Sequence, residues 1–297
     1  MTNFHVYVGQ DAHAAAPVIR KIGPKEIGRA LAQGLDDFRA MPSHLAFLCL
    51  IYPLCGLVLA YATSERNALQ LLFPLASGFA LIGPLAAIGL YEMSRRRELG
   101  LDTSWKYAFN VLRSPSIPAI AALGLLLVAI FVAWLMAAEG LYVALFGAEP
   151  PASYGEFFNE VISTAHGWAL ILIGGFIGFC FAAATLSVSV VSFPLLLDRD
   201  VGAAAAVATS IKAVRENIGA MALWGFIVAA GLFIGALPLF VGLAIVVPIL
   251  GHATWRLYRE TIVRDPAQEH PVDLPAEGLG TPANARVAPH SFLFPWR

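Results

Sequence analysis

Between Ile218 and Trp255 the chain carries no Asp, Glu, Lys or Arg. As one α-helix rising ~1.5 Å per residue, this stretch would far overshoot the roughly 30 Å hydrocarbon core of a bilayer. It must therefore reverse, and Gly235-Ala236-Leu237-Pro238 supplies the glycine and proline that break a helix. Four other uncharged runs precede it, Ser43–Ala62, Ala68–Tyr91, Ile117–Ala138 and Gly167–Leu197. Each is long enough to cross a membrane, and the last must tilt or run past the membrane face toward Pro194. With 58% hydrophobic and 13% charged residues, the chain falls in the class of integral membrane proteins rather than soluble ones.

The placement of charge sets the topology. Of the 19 Lys and Arg residues, all but Arg66 fall in four segments: 1–41, the connector after the second run, the connector after the fourth, and the stretch beyond Trp255. The connector from Glu139 to His166 has four glutamates and no basic residue. Six spans put the basic segments inside and this acidic connector outside, whereas five would expose Arg256, Arg259 and Arg264 on the outer face. The expected fold is all-α, with spans at about 43–62, 68–91, 117–138, 167–192, 218–236 and 238–257 and both termini in the cytoplasm. The membrane domain is expected over 25–264, between a flexible N-terminal tail, 1–24, and a disordered C-terminal tail, 265–297. Residues 1–24 lack the apolar core of a cleaved signal peptide, so the N-terminus is expected to be retained. The second tail is rich in Pro, Ala and Gly yet ends in Ser291-Phe292-Leu293-Phe294-Pro295-Trp296-Arg297, either a docking peptide or simply an apolar end.

An internal repeat organises the charged connectors. Arg97-Glu98-Leu99-Gly100 recurs as Arg199-Asp200-Val201-Gly202, and an arginine follows each glycine at the same spacing, Arg113 after Gly100 and Arg215 after Gly202. A third copy ends at Arg39. Five residues before the three arginines stand the small residues Gly34, Ala108 and Ser210, and four before stand Leu35, Phe109 and Ile211. Apolar residues at these spacings line one face of a helix, so three amphipathic interfacial helices are expected on one side of the membrane, each leading into a transmembrane hairpin. Pro84-Tyr91-Arg95 and Pro248-Trp255-Arg259 also share offsets in the second and sixth spans, a pattern from which Pro194 departs.

The chemistry available to such a chain is narrow. The uncharged runs hold no ionisable Asp, Glu, Lys or Arg, which argues against an ion-coupled transporter or pump. Serines and threonines such as Ser77, Thr185, Ser187, Ser189 and Ser192 can bond to helix carbonyls or across to a neighbour. Gly174 with Gly178, and Gly231 with Gly235, have the spacing that lets helices approach, within the fold or in a homo-oligomer. Cys49, Cys55 and Cys180 lie in apolar runs and imply neither a disulfide nor a metal site. His44, His166 and His252 stand near span ends with no ligand partner on the same helix. His252, Trp255, Arg256, Tyr258 and Arg259 read as an interfacial cluster: an aromatic belt with arginines reaching lipid phosphates or a partner, or plain anchoring. No catalytic residue, cofactor or metal is expected, and the near-zero net charge of −1 gives no reason to expect nucleic acid.

The runs Gly251-His252-Ala253-Thr254-Trp255 with Tyr258-Arg259, Gly89-Leu90-Tyr91-Glu92-Met93-Ser94-Arg95, and Phe193-Pro194-Leu195-Leu196-Leu197-Asp198-Arg199 resemble a bacterial integral membrane family of unknown function. The resemblance covers most of residues 20–262. Some members of that family carry a cytochrome c oxidase subunit one label. An oxidase catalytic subunit needs a set of intramembrane histidines for its haems and copper, which this chain lacks. The expectation is a non-catalytic inner-membrane protein, a scaffold, accessory or assembly component of a membrane complex, a respiratory one among them. The alternative is a transporter or channel for a neutral or amphiphilic solute, and an enzyme comes third. The partners expected are the bilayer and other membrane proteins, or a second copy of the chain.

Overall fold

A computed structural model of the chain describes residues 17–41, 56, 69–149, 151, 153–238 and 241–270. The first expected span, the aromatic C-terminal end and most of both tails lie outside the described residues. Among the described residues the fold is all-helical, with an isolated bridge between Ile19 and Ile262 as the one β-type pairing.

Helix α1, Pro24–Ala40, begins with proline at its first turn, where a missing N–H costs nothing, and the Glu26 carboxylate caps it by accepting from the Gly23 amide. Its buried residues, Ile27, Ala30, Gly34 and Asp37, form one helical stripe. The next long segment is interrupted: α2, Leu72–Phe79, a 3-10 turn at Ala80–Ile82, α3, Gly83–Ala86, and α4, Ile88–Glu98. Pro84, early in α3, cannot donate to the turn before it. After Gly100, a 3-10 helix, Trp105–Arg113, leads into α5, Ile117–Phe146. Helix α5 runs past the expected end at 138 because nothing breaks it before Gly147. The acidic connector is therefore shorter than expected, and it holds a helix of its own, α6, Tyr154–Ser163, capped by the Ser153 hydroxyl.

Helix α7, Ala165–Ser189, continues through a turn into α8, Ser192–Asp198, followed by α9, Ala203–Glu216, α10, Ile218–Ala236, and α11, Leu243–Thr261. Among the described residues, four helical stretches are long and apolar enough to cross a membrane: Phe73–Glu98, Ile117–Phe146, Ala165–Asp198 and Ile218–Ala236. Helix α11 is not among them, since Arg256, Arg259 and Glu260 crowd its last turns. The glycine pairs serve contacts within the fold. Gly174 and Gly178 face Leu141 and Trp134 of α5, and Gly231 and Gly235 face Val246 and Leu243 of α11.

The buried core lies toward the arginine-rich end, where Ile27, Tyr91, Met93, Phe193, Leu196, Trp255, Leu257 and Tyr258 meet, joined by Trp224 of α10. Farther along, α5, α7 and α10 turn Leu125, Phe176, Phe179, Phe226 and Phe233 outward, as helices bathed in lipid do. The three short helices that close around Arg39, Arg113 and Arg215 each make a contact at their small residue, with α11, with α4 and with the turn between α7 and α8. A Cβ on Gly34 would fall 2.6 Å from the Ala253 backbone nitrogen, and one on Gly89 3.4 Å from the Ala108 Cβ. The Ser210 hydroxyl accepts from the Val191 amide at 3.2 Å.

The folded region extends beyond the expected limits of 24 and 264. The Arg20 amide donates to the Thr261 carbonyl at 2.8 Å and the Val263 amide to the Val18 carbonyl at 2.9 Å, so the two flanks close against each other. Residues 265–270 then turn back, and the His270 amide donates to the Asp198 carbonyl at 2.7 Å. Composition alone read these flanks as tails, whereas their backbone groups are paired across the chain.

Candidate functional site: a buried ionic network

Helix α11 presents Gly251, His252, Ala253, Trp255, Leu257 and Tyr258 as buried residues, because α1 lies on it at Gly34 and α4 reaches it through Leu90. The cluster, read from the sequence as an interfacial one that reaches lipid phosphates or a partner or simply anchors the helix, is thereby turned inward. Trp255, Tyr258 and His252 are buried, and the Arg256 and Arg259 side chains retain only 15% and 12% exposure. Three carboxylates from other parts of the chain explain the correction. They offer the two arginines nearer partners than lipid phosphate.

Asp37 of α1, fully buried, accepts from Arg256 Nε and Nη2 at 2.9 and 2.8 Å, from the Ser94 hydroxyl at 2.8 Å, and from Arg97. Burial alone would raise the Asp37 carboxyl, but the Arg256 bonds and charge, with Ser94 and Arg97, hold it below the ordinary carboxylate range. Ser94 Oγ also lies 2.6 Å from His252 Nδ1. Glu98, at the end of α4, accepts from the Trp255 indole at 3.0 Å and from Arg259 Nε at 3.2 Å. Asp198, at the end of α8, accepts from the Tyr258 hydroxyl at 2.7 Å and from Arg259 Nη1 at 3.0 Å.

The segment after α11 adds a fourth carboxylate. Glu269 bonds Arg264 Nε at 2.8 Å and Arg259 Nη1 at 3.3 Å; burial would raise its carboxyl, and Arg264 and Arg259 hold it low. His270 Nε2 sits 2.9 Å from the Ser116 hydroxyl, and Arg95 donates to the His270 carbonyl at 2.6 Å. Burial, then the Arg95 charge, lowers the His270 imidazole below its usual value. Within α4, Glu92 pairs with Arg95 at 3.3 Å and stands 4.0 Å from Arg96, whose guanidinium lies 3.8 Å over the Tyr107 ring.

The residues that define the repeat behave differently. Arg39, Arg113 and Arg215 are exposed, and among the described residues none has a carboxylate within ion-pair distance. Gly100 and Gly202 both adopt positive φ, 70° and 76°, a conformation that suits glycine and explains why these two positions match. Sequence reasoning missed Asp37, Glu98 and Asp198, which carry the network. Asp37 had a usable signal, since it continues the stripe of Ile27, Ala30 and Gly34 and so had to be buried.

Chemically, the cluster is a set of carboxylates matched to guanidiniums and phenol or indole donors. Such groups tie helices to one another in a fixed geometry, and removing one partner leaves the other charge buried and strongly destabilises the fold. Among the described residues no three His, Cys, Asp or Glu side chains gather as a metal site would require. No curated protein and no solved structure matches the chain. Residues 72–198 match the family model described as a predicted integral membrane protein, DUF2189, so this part of the chain is similar to an integral membrane family of unknown function.

Proposed function

We propose that the protein is a non-catalytic component of a bacterial inner membrane, a scaffold, accessory or assembly factor that packs against other membrane proteins, a respiratory complex among its possible hosts. The observation that supports this reading most is where the polar groups go. The buried carboxylates Asp37 and Asp198 and the partly buried Glu98 are bonded by Arg97, Arg256, Arg259, Trp255 and Tyr258 of the same chain, so these groups serve cohesion. The faces left for other molecules are apolar: Leu125, Val132 and Met136 on α5, Leu172, Phe176 and Phe179 on α7, and Phe226 and Phe233 on α10. Faces of that kind meet lipid or other transmembrane helices.

The same reading has six spans, both termini in the cytoplasm, and three units each made of an interfacial helix and a hairpin. Three contacts favour the threefold plan. Gly34, Ala108 and Ser210, each five residues before its arginine, touch Ala253, Gly89 and Val191 respectively. Gly89 and Val191 each stand eleven residues before Gly100 and Gly202, and Gly89 and Ala253 each stand five after Pro84 and Pro248. The contacts therefore follow the offsets of the repeat, and the first interfacial helix closes on the last long helix.

The test is purification from native membranes at native expression, in mild detergent, through a tag on the N-terminus. A scaffold returns with another membrane protein in near-stoichiometric amount, and Phe176→Lys or Phe226→Lys on the outer faces should release it. If the protein is recovered alone at every detergent strength, the accessory reading falls.

A further inference from the structure

Beside this network lies a cleft whose walls hold more guanidiniums than carboxylates. It encloses about 180 Å³ between the end of α4, the 3-10 helix and His270, and its walls include Glu92, Arg95, Arg96, Asn110, Arg113 and Ser114. Arg95 and Arg96 are buried, at 6% and 2% exposure, so water cannot fully solvate their charge. Glu92, itself buried, is the one carboxylate on the walls and serves both. Behind the cleft, Asp198 is already engaged by Tyr258 and Arg259, and the Asp200 charge acts on His270 from outside the walls. Arg113 stands at the rim, exposed and without an acidic partner among the described residues.

The guanidiniums also keep donors in reserve. The hydrogen bonds among the described residues engage Nη1 and Nη2 of Arg95 and Nε of Arg96, each arginine having five N–H donors. Arg96 is fixed in place by the Asp102 carbonyl at 2.7 Å and the Tyr107 ring beneath it. Two preset guanidiniums and a third at the rim, around a cleft with one acid, form an environment that favours a compact dianion or monoanion with several acceptor oxygens.

We propose that this cleft binds a phosphate group. Its surroundings say where the phosphate could come from. The 3-10 helix that lines it turns Phe109 and Leu112 outward, at 52% and 68% exposure, beside Arg113, and α5 enters its apolar run within a few residues. A phospholipid headgroup with its acyl chains along those residues fits this rim, and a soluble phosphate presents the same oxygens. The site is distinct from the inward-facing Arg256 and Arg259 and does not depend on the scaffold reading.

The test compares wild type, Arg113→Gln and, as a control for an exposed unpaired arginine elsewhere, Arg39→Gln. Arg113 is exposed, so its substitution leaves the fold intact, and equal thermal midpoints without additive verify this. One arm measures retention of phosphatidylglycerol against phosphatidylcholine by native mass spectrometry after exchange in mixed micelles. The other measures stabilisation by inorganic phosphate. Selective retention of phosphatidylglycerol, roughly tenfold weaker in Arg113→Gln and unchanged in Arg39→Gln, establishes a lipid site. Saturable stabilisation by inorganic phosphate, lost in Arg113→Gln without any lipid selectivity, establishes a soluble-phosphate site. Indistinguishable behaviour of wild type and Arg113→Gln in both arms overturns the proposal.

Discussion

Asp37 is where the network can be probed most sharply, because its partners differ in exposure. Its side chain is 1% exposed; that of Arg256 is 15% exposed and that of Arg97 is 37% exposed. Replacing Asp37 by Asn keeps the volume and one acceptor but removes the charge that Arg256 faces. Breaking a buried ion pair from one side costs about 3–5 kcal/mol. Glu98, whose carboxylate lies 3.8 Å from Arg256 Nη1, softens this, so the expected loss for Asp37→Asn is about 2–4 kcal/mol. Arg97→Gln removes a partner that solvent already screens and should cost about 0–1 kcal/mol. At roughly 2–4 °C per kcal/mol for a domain of this size, Asp37→Asn should lower the thermal midpoint in detergent by about 5–15 °C and Arg97→Gln by a few degrees at most. The two variants also differ in their response to acid. The Asp37 carboxyl is held below 3.8, so its contribution is present above that pH and is lost as pH falls through the folded-state value. The gap between wild type and Asp37→Asn should therefore close in acid. An Asp37→Asn midpoint matching wild type at neutral pH, or an Arg97→Gln loss as large as that of Asp37→Asn, would refute the assignment of Asp37 and Arg256 as the buried pair.

Further expectations follow from the same geometry. Gly28 and Gly34 lie on one helix, but a Cβ at Gly28 meets nothing within 4 Å while one at Gly34 meets the Ala253 backbone. Gly28→Ala should thus stabilise by up to about 1 kcal/mol, and Gly34→Leu should destabilise by about 1–3 kcal/mol or more, read as opposite shifts in chemical denaturation. His270, lowered from 6.5 by burial and by Arg95, binds protons more readily in the unfolded chain, so stability falls as pH drops below 6.5; His270→Gln should remove that first phase. Glu269, held below 4.5, adds a later loss that sets in only under that pH and should vanish in Glu269→Gln. In a background with Cys49, Cys55 and Cys180 changed to serine, Ala148→Cys in the connector should react with an impermeant maleimide added outside intact cells, and protection would reverse the proposed topology.

The helices were largely legible because the signals for them are local. Ile218–Ala236 ends where glycine and proline break an uncharged run, and Arg39, Arg113 and Arg215 close their short helices as the apolar spacing predicts. The limits of the fold were less legible. Residues 17–23 and 262–270 are short and lack periodicity, yet Arg20 with Thr261 and Val18 with Val263 pair across more than two hundred residues of chain. No window of sequence contains both partners. The orientation of α11 failed for the same reason: Arg256 and Arg259 look like lipid-facing arginines until Asp37 and Asp198, far away in sequence, are brought beside them.

That failure also explains why the network sits where it does. The last two turns of α11 present indole, guanidinium and phenol groups at Trp255, Arg256, Tyr258 and Arg259. One carboxylate reaches them from each of three separate segments, Asp37 from α1, Glu98 from α4 and Asp198 from α8. Each acid stands at or near the end of its helix, and burying Asp37 or Asp198 without a partner would cost several kcal/mol. Local preference for any of the three is therefore poor, and only the assembled fold makes each favourable. Helix α11 is thus the element on which the other three depend, and Gly34 and Ala253 let α1 approach it closely enough for Asp37 to engage Arg256. The small residue and the buried acid on α1 are one device: the first sets the distance, the second uses it.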